Sequence, residues 1–252
     1  MRLSNRSQTG YVRKLETMGT VDGPGIRTVV FLSGCPLRCL FCHNPDMWTH
    51  KPEDEVTVDS LVERLKRFKP YYGEDGGVTF CGGEPLNQPD FLYEAMLACK
   101  EEGIHTVLDT SGFGRPDRFE DILSVTDLIL YDIKGLAPDK YTEMTGVPIH
   151  RTQEFLAKAQ EMKIPMWIRI VIVPGINDTY DYMDELAAYI APLHGIERVE
   201  ILPYHTMGVN KYEELDYEYQ YPLEGVPAMD GPKAMEMQDY LRSEIERLRK
   251  DV

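Results

Sequence analysis

The sequence predicts an α/β fold with parallel strands, because short apolar runs alternate with helical patterns along most of its 252 residues. The runs are rich in β-branched and aromatic side chains, as buried strands are. They cover residues 28–33, 77–81, 105–109, 128–132, 167–174 and 199–203. Helices between strands imply right-handed crossovers in a parallel sheet, and six such units are too few for a closed eight-fold barrel. An open doubly wound sheet and a partial barrel are both compatible with this pattern.

The helices are predicted from apolar spacing and from residues that begin or end a helix. The first opens at Thr57, carries Leu61, Leu65 and Phe68 on one face, and ends at Pro70. Further helical patterns cover residues 89–102, 119–123, 138–144, 152–162, 180–190 and 232–250. The last of these is a long amphipathic helix at the C-terminus.

Three segments carry weaker patterns. Residues 10–18 alternate weakly and predict a short edge strand, residues 20–27 predict a turn from their Gly and Pro content, and residues 207–231 predict a surface loop. No linker or low-complexity stretch interrupts the chain. We therefore expect a single domain over residues 1–252, with its core at 10–206 and a C-terminal loop and helix at 207–252.

Charge and cysteine content narrow the possible partners and sites. The net charge of −15 comes from 27 Lys and Arg against 42 Asp and Glu. It argues against nucleic acid or an anionic membrane as a partner. There is no apolar stretch of membrane-spanning length and no signal-peptide core, so we expect a cytoplasmic protein. No apolar surface stripe is left unassigned, which favours a monomer. Five cysteines, three of them clustered, indicate a metal site rather than disulfides.

The clustered cysteines follow the first strand with the spacing Cys35-x₃-Cys39-x₂-Cys42. Thiolates are the usual ligands of iron–sulfur clusters and also bind zinc. Three ligands leave one metal position open for chemistry. Structural zinc is the alternative, with His43 or Cys81 as fourth ligand, but closed zinc sites usually pair two half-sites and the chain has only one.

Polar and glycine residues follow five of the six predicted strands at their carboxyl ends. They are Gly34 and Cys35, the run 82–84, Asp109 and Thr110, Asp132 and Lys134, and His205. This edge of a parallel sheet is where ligands bind, so we expect one site there. Each residue alone has an ordinary alternative: an Asp after a strand often caps a helix. Arg169 is less ordinary, because a guanidinium inside an apolar run needs a partner.

The cysteine spacing, with Phe41 before the last cysteine and His43 after it, resembles the signature of the radical S-adenosylmethionine (SAM) superfamily. The run Gly-Gly-Glu-Pro at 82–85 resembles the glycine motif of the same superfamily. The resemblance implies a [4Fe-4S] cluster on three cysteines, with SAM on the fourth iron. One-electron cleavage of SAM would then give a 5′-deoxyadenosyl radical that abstracts hydrogen.

Within the superfamily the chain is similar to pyruvate formate-lyase activating enzymes. The stretches that carry the similarity are residues 20–27, 39–44, 102–110, 167–169 with 173–175, and 202–205. The segment between Asn44 and Thr57 is too short for the ferredoxin-like insert of some other glycyl-radical activases. Cys81 departs from the small hydroxyl residue common at its position. The resemblance implies a partial (β/α)6 TIM-like barrel of the radical SAM type.

The resemblance also implies roles for individual residues. Cys35, Cys39 and Cys42 would bind the cluster, and Lys134 and Arg169 would join them as catalytic residues, with Arg169 facing substrate. The implied SAM contacts are Phe41, Cys42, His43, Gly83, Asp132, Ile133, Lys134 and His205. Asp109, Thr110 and Asp132 resemble a site for a monovalent cation, Na⁺ or K⁺. Electrostatics also favours a cation at this position, since carboxylates that face one another repel.

The implied substrate is a glycine on a loop of pyruvate formate-lyase, which would lose a Cα hydrogen and become a glycyl radical. Flavodoxin or ferredoxin would donate the electron. Residues 22–25 are our candidate for part of the docking rim. Two alternatives stay open: activation of another glycyl-radical enzyme, and a non-catalytic iron–sulfur or zinc protein.

Overall fold

A single mixed sheet organises the fold in the computed structural model, which describes residues 3–213, 215 and 220–250. Over these residues the sheet has eight strands in the order β3-β1-β2-β4-β5-β6-β7-β8. They are β1 Thr9–Gly19, β2 Arg27–Leu32, β3 Glu55–Thr57, β4 Gly77–Gly82, β5 His105–Thr110, β6 Leu128–Asp132, β7 Met166–Ile172 and β8 Ile196–Pro203. The sheet is open, with β3 and β8 at its two edges.

The strands from β2 through β8, leaving out β3, are all parallel, and each pairs with the next one along the chain. Two antiparallel strands, β1 and β3, extend the sheet at one edge. The six predicted strands are all present, and the weak pattern at 10–18 is the longer edge strand β1. The predicted α/β class with an open, mostly parallel sheet, as in a partial TIM-like barrel, is confirmed.

Helices cover one face of the sheet, and their apolar sides form the main core with alternate strand residues such as Leu108 and Ile129. They are α1 Val58–Lys66, α2 Lys69–Tyr72, α3 Pro89–Glu101, α4 Phe119–Ser124, α5 Pro138–Thr145, α6 His150–Glu161, α7 Tyr180–Ile190, α8 Asn210–Glu213 and α9 Gly231–Lys250. The other face of the sheet, which we call the inner face of the half-barrel, carries a separate small cluster. It contains Val107, Leu128 and Leu130. No helix in the described ranges combines the length and apolar character that a membrane span needs.

The predicted surface loop at 207–231 differs from the structure. Its first part contains the short helix α8, and several of its side chains are buried: Tyr212, Tyr221, Leu223 and Met229. The hydroxyl of Tyr221 is 2.7 Å from that of Tyr204. The pattern gave no helix because these apolar residues follow neither period. Residues 214 and 216–219 of the predicted loop lie outside the described residues.

The predicted turn at 20–27 crosses the inner face of the half-barrel and is held there by Arg27, a fully buried side chain. Its guanidinium donates to the hydroxyl of Thr79 and to the carbonyls of Pro24, Val78 and His105, at 2.7–3.2 Å. Burial lowers the pKa of Arg27 to about 10, which leaves it charged at neutral pH. One cation therefore fastens the turn to β4 and β5.

We expect Arg27→Met to lower the free energy of unfolding by about 3 kcal/mol, because it keeps an apolar stem but leaves buried acceptors without a donor. The measurement is urea unfolding followed by circular dichroism. Arg115→Met is the matched control, since Arg115 lies on the surface in an exposed ion pair; it should change stability by less than about 0.5 kcal/mol. Equal effects from the two substitutions would contradict this account of the turn.

Candidate functional site

A cavity of about 290 Å³ lies at the carboxyl edge of the parallel strands. Residues from the loops after β2, β4, β5 and β6, and from the inner faces of β7 and β8, share its lining. Those predicted as site residues are Cys35, Cys39, Phe41, Cys42, His43, Gly83, Asp109, Thr110, Asp132, Lys134 and Arg169. Ile133 and His205 lie outside this lining. The structure thus brings together most of the candidates that the strand ends predicted.

Backbone bonds at both ends fix the cysteine loop. Gly34 leaves β2 with a φ of +88°, and a Cβ there would lie 2.3 Å from the ring of His50. The amide of Gly34 donates to the Met47 carbonyl at 2.7 Å, and the amide of Cys35 donates to the Trp48 carbonyl at 3.1 Å. The loop therefore closes on itself before the chain leaves for β3.

The three clustered thiols face the same cavity and are largely shielded from water. Burial raises the pKa of Cys35 and Cys42, and it raises that of Cys39 to about 12. Buried thiols become thiolates when a metal supplies compensating positive charge, so this donor set fits a thiolate-bound cluster. No three His, Cys, Asp or Glu side chains in the described part of the chain are grouped as ligands of a single ion.

The glycine turn after β4 packs directly against the cysteine loop. A Cβ on Gly83 would lie 2.5 Å from the carbonyl oxygen of Gly34 and 3.1 Å from the Cβ of Cys35. The amide of Glu84 donates to that same Gly34 carbonyl at 3.1 Å. Glycine at 83 is thus required by the contact between two loops, whatever else approaches its backbone.

Glu84 fastens the glycine turn to the loop after β5. Its buried carboxylate accepts from the Ser111 amide at 3.0 Å, from the Ser111 hydroxyl at 2.6 Å and from the Thr110 hydroxyl. Burial raises the pKa of Glu84, and these hydrogen bonds offset part of the rise. The buried carboxylate therefore links the carboxyl ends of the neighbouring strands β4 and β5.

Asp109, Asp132, Lys134 and Arg169 form an alternating network of charges along the cavity wall. Arg169 is 3.1 Å from Asp109 and 3.8 Å from Asp132, and Lys134 is 3.1 Å from the other oxygen of Asp132. Asp109 raises the pKa of Arg169, and burial raises the pKa of Asp109 while Arg169 opposes that rise. Neither aspartate caps a helix. Their oxygens are turned instead toward cations beside the cavity.

The residues of the predicted cation site already have partners within the protein. Arg169 bridges the two aspartates, and the Thr110 hydroxyl donates to Glu84 while it accepts from the amide of Gly112 at 2.9 Å. Both carboxylates therefore have positive partners from the chain itself. The monovalent cation stays a prediction.

The two histidines of the predicted SAM site stack on each other, with ring centroids 3.8 Å apart and planes 11° apart. Nε2 of His43 donates to the carbonyl of His205 at 2.6 Å, and burial lowers the pKa of His43, which favours the neutral ring. His205 thus lies behind His43 as seen from the cavity. On the cavity wall itself, Lys134 lies 5.5 Å from the ring centre of Phe41.

Several residues of the lining were not among the predicted site residues: Phe31, Leu37, Trp48, Cys81, Glu84, Ser111, Val171 and Leu202. The alternation of side chains along a strand could have predicted two of them. Phe31 and Cys81 alternate with core residues on their strands, so their side chains lie on the inner face of the sheet. Glu84 belongs to the run 82–84 that was expected at the site, but no individual role was predicted for it. Nothing in the spacing of Trp48 distinguishes it from a core aromatic residue.

Comparisons with known proteins agree with this geometry. The family model of the radical SAM superfamily matches residues 29–189. The chain is 46% identical to a pyruvate formate-lyase-activating enzyme of Clostridium pasteurianum over 238 residues, which cover 94% of this chain and 99% of the relative.

Two solved structures are similar as well. A domain of a pyruvate-formate lyase-activating enzyme from Bacteroides vulgatus has a TM-score of 0.55 at 25% identity, over 67% of this chain and 94% of the other. SuiB of Streptococcus suis, bound to its precursor peptide SuiA, shares the fold with a TM-score of 0.63 at 19% identity, over 87% of this chain and 46% of that one. The chain therefore belongs to the radical SAM superfamily and, within it, to the family of the pyruvate formate-lyase-activating enzymes.

Proposed function

We propose that this chain activates pyruvate formate-lyase by removing a Cα hydrogen from one of its glycines, with SAM and a [4Fe-4S] cluster as cofactors. One observation carries the proposal: three clustered thiols, a glycine turn and a network of aspartates and cations line the same cavity. Cys35, Cys39 and Cys42 would hold the cluster. When bound, the cluster and SAM supply one-electron chemistry that generates a carbon-centred radical.

The chain's own residues would position SAM by charge and shape. Lys134 carries positive charge at the cavity wall, and Asp132 beside it can accept hydrogen bonds from an ammonium or hydroxyl group. Burial disfavours the charge of Lys134, but Asp132, Cys39 and Tyr141 together more than offset this and raise its pKa, so the ammonium group stays charged. Gly83 offers its backbone, and Phe41 and His43 form the neighbouring aromatic side of the cavity. Ile133 and His205 would act from outside this lining, His205 through its stack on His43. Asp109, Thr110 and Asp132 remain our candidates for a monovalent cation.

The substrate glycine would enter from the open side of the half-barrel. The turn at 20–27 covers the inner face of β4 and β5, whereas Trp167 and Arg198 on β7 and β8 remain partly or fully exposed on that face. Asp22 lines the cavity from the first half of the turn, and Arg169 lines it from β7. A protein loop that reaches these two side chains would bring its backbone next to the thiol-lined wall.

The state of the cysteines favours a cytoplasmic protein. All five cysteines lie within the described residues and carry free thiols, which persist in the reducing cytoplasm. A small flavodoxin or ferredoxin would supply the electron, and we infer that the activase works as a monomer. Substrate recognition would use protein contacts alone, without nucleic acid or membrane.

The cysteine assignments predict a sharp division among the five thiols. Cys35→Ala, Cys39→Ala and Cys42→Ala should each lose the brown colour and most of the roughly four irons per chain that a [4Fe-4S] cluster supplies. Cys81→Ala and Cys99→Ala are the matched controls: Cys99 lies in the core and Cys81 in the cavity lining, and both should keep the iron. Iron analysis and absorption spectra after anaerobic reconstitution make the measurement. Full iron in a Cys39→Ala protein would refute the assignment.

The docking role of Asp22 predicts that substrate contact and SAM cleavage can be separated. For Asp22→Asn we expect about a tenfold drop in glycyl radicals formed per SAM cleaved, because a charged hydrogen bond to the entering backbone is lost. Glu16→Gln, on the exposed surface of β1, is the control. Quantified radical signals and liberated 5′-deoxyadenosine give the ratio. An unchanged ratio would remove Asp22 from the docking rim.

The function itself is tested by mixing the reduced, cluster-loaded protein with SAM and purified pyruvate formate-lyase without air. A doublet glycyl radical signal in electron paramagnetic resonance, absent when SAM is left out, is the expected result. Other glycyl-radical enzymes are tested in parallel. A radical signal in one of them, and not in pyruvate formate-lyase, would indicate the alternative target. Iron-free, colourless wild-type protein would instead indicate the non-catalytic zinc alternative.

A further inference from the structure

The two halves of the cysteine loop are held by different parts of the chain. Residues 34–40 bond to the backbone at 47–48, to the end of α5 and to the glycine turn after β4. Residues 42–46 make their hydrogen bonds to distant parts of the described chain with residues 205–212 alone. We call residues 204–213, which follow β8 and include α8, the strap. The second half of the loop therefore depends on the strap.

Two neighbouring side chains of the strap bond to this half of the loop. The hydroxyl of Tyr212 donates to the backbone carbonyl of Cys42 at 2.9 Å, and only 4% of Tyr212 is exposed. Water therefore cannot replace this bond while the loop stays closed. The ammonium group of Lys211 donates to the side-chain oxygen of Asn44 at 2.8 Å and lies 3.2 Å from Asp46. One contact holds the backbone of a cysteine, and the other holds the turn that follows it.

The strap is itself fastened to the barrel. The amide of Tyr204 donates to the carbonyl of Ile172 at the end of β7, at 3.0 Å, and the carbonyl of Tyr204 accepts from the amide of Met229 at 2.8 Å. The hydroxyls of Tyr204 and Tyr221 are 2.7 Å apart. The ring of Tyr221 packs in turn on Tyr212, with 4.9 Å between ring centres. The strap is thus a fixed support against which the loop can open or close.

We infer that Tyr212 and Lys211 are positioning residues that retain the cluster, because they keep the Cys42 half of the cysteine loop closed. The inference rests on the proposed function, in which Cys42 binds an iron. A closed loop keeps its ligands around the metal, and the rate of metal release follows the population of locally opened protein. Each bond between the strap and the loop makes the opened state rarer. Loss of one bond should therefore speed the loss of iron.

The chain offers a matched control for each of the two residues. Tyr131 is also a buried tyrosine whose hydroxyl donates to a backbone carbonyl, that of Thr152 at 3.1 Å, but it lies between β6 and α6. Lys100 forms an ion pair with Asp127 that is about as exposed as the pair of Lys211. The side chains are 32% and 30% exposed in the first pair, against 33% and 38% in the second. Both controls lose the same kind of bond away from the cysteine loop.

The test measures the rate at which the anaerobically reconstituted holoenzyme releases iron to an excess of chelator. Tyr212→Phe should release iron about fivefold faster than the wild type, which corresponds to about 1 kcal/mol in favour of the opened loop. Lys211→Met should release it about twofold faster, because its ion pair is partly exposed. Tyr131→Phe and Lys100→Met should keep the wild-type rate. Wild-type rates in the strap variants, or an equal increase in the controls, would overturn the inference.

A second measurement follows the loop itself and does not require the cluster. Hydrogen exchange detected by mass spectrometry compares peptides that cover residues 34–40 and 42–48. In both strap variants we expect faster exchange in the second peptide alone, because bonds such as that from the Met47 amide to the Asn44 carbonyl break when this half opens. Wild-type exchange in that peptide, or an equal increase in both, would overturn the inference. Wild-type protein that takes up no iron would refute the proposed function, and the exchange rates would still report on the strap.

Discussion

The contact between Gly34 and Gly83 is the constraint on which the site depends. These residues follow the neighbouring strands β2 and β4, and the space between their backbones admits no Cβ at position 83. Because the amide of Glu84 also bonds to the Gly34 carbonyl, the two strand ends are joined as tightly as the strands themselves. A shift of one loop would move the other, so the thiol wall and the glycine wall of the cavity hold a fixed separation.

Charge is distributed along this edge so that each buried group has a partner. A lone carboxylate or ammonium in such a place costs several kcal/mol, and partners of opposite sign recover part of that cost. The charged side chains alternate in sign across β5, β6 and β7, in the order Asp109, Arg169, Asp132 and Lys134. The carboxylate of Glu84 is stabilised instead by hydroxyl and amide donors. The arrangement keeps fixed charges at the cavity wall before any ligand arrives, which is the preorganisation that a charged cofactor needs.

The sequence was most informative where local rules and global geometry coincide. Parallel strands carry their carboxyl ends to one edge, so Asp109, Asp132 and the cysteine loop could be expected to meet there without knowledge of any side-chain position. The pairing within the edge was not predictable. That Arg169 lies between the two aspartates, or that the Thr110 hydroxyl is committed to Glu84, depends on register across three strands. Helix α8 was missed because its one buried aromatic residue, Tyr212, packs toward the cysteine loop, where its hydroxyl donates to the Cys42 carbonyl, and shows no helical period.

The support of the cysteine loop shows why a spacing motif alone does not make a site. The amides of Arg38 and Leu40 donate to the carbonyls of Thr145 and Met144, at 2.7 and 2.9 Å. These carbonyls belong to the end of α5, more than a hundred residues further along the chain. Carbonyls at a helix end are unpaired within the helix, so they are available as acceptors for the loop. From a third direction, Gly208 packs on the backbone of His43, where a Cβ would lie 2.8 Å from the His43 carbonyl oxygen. A chain with the same three cysteines but without the α5 terminus and this close glycine would leave the loop amides to water. Its thiols would then have no fixed common wall.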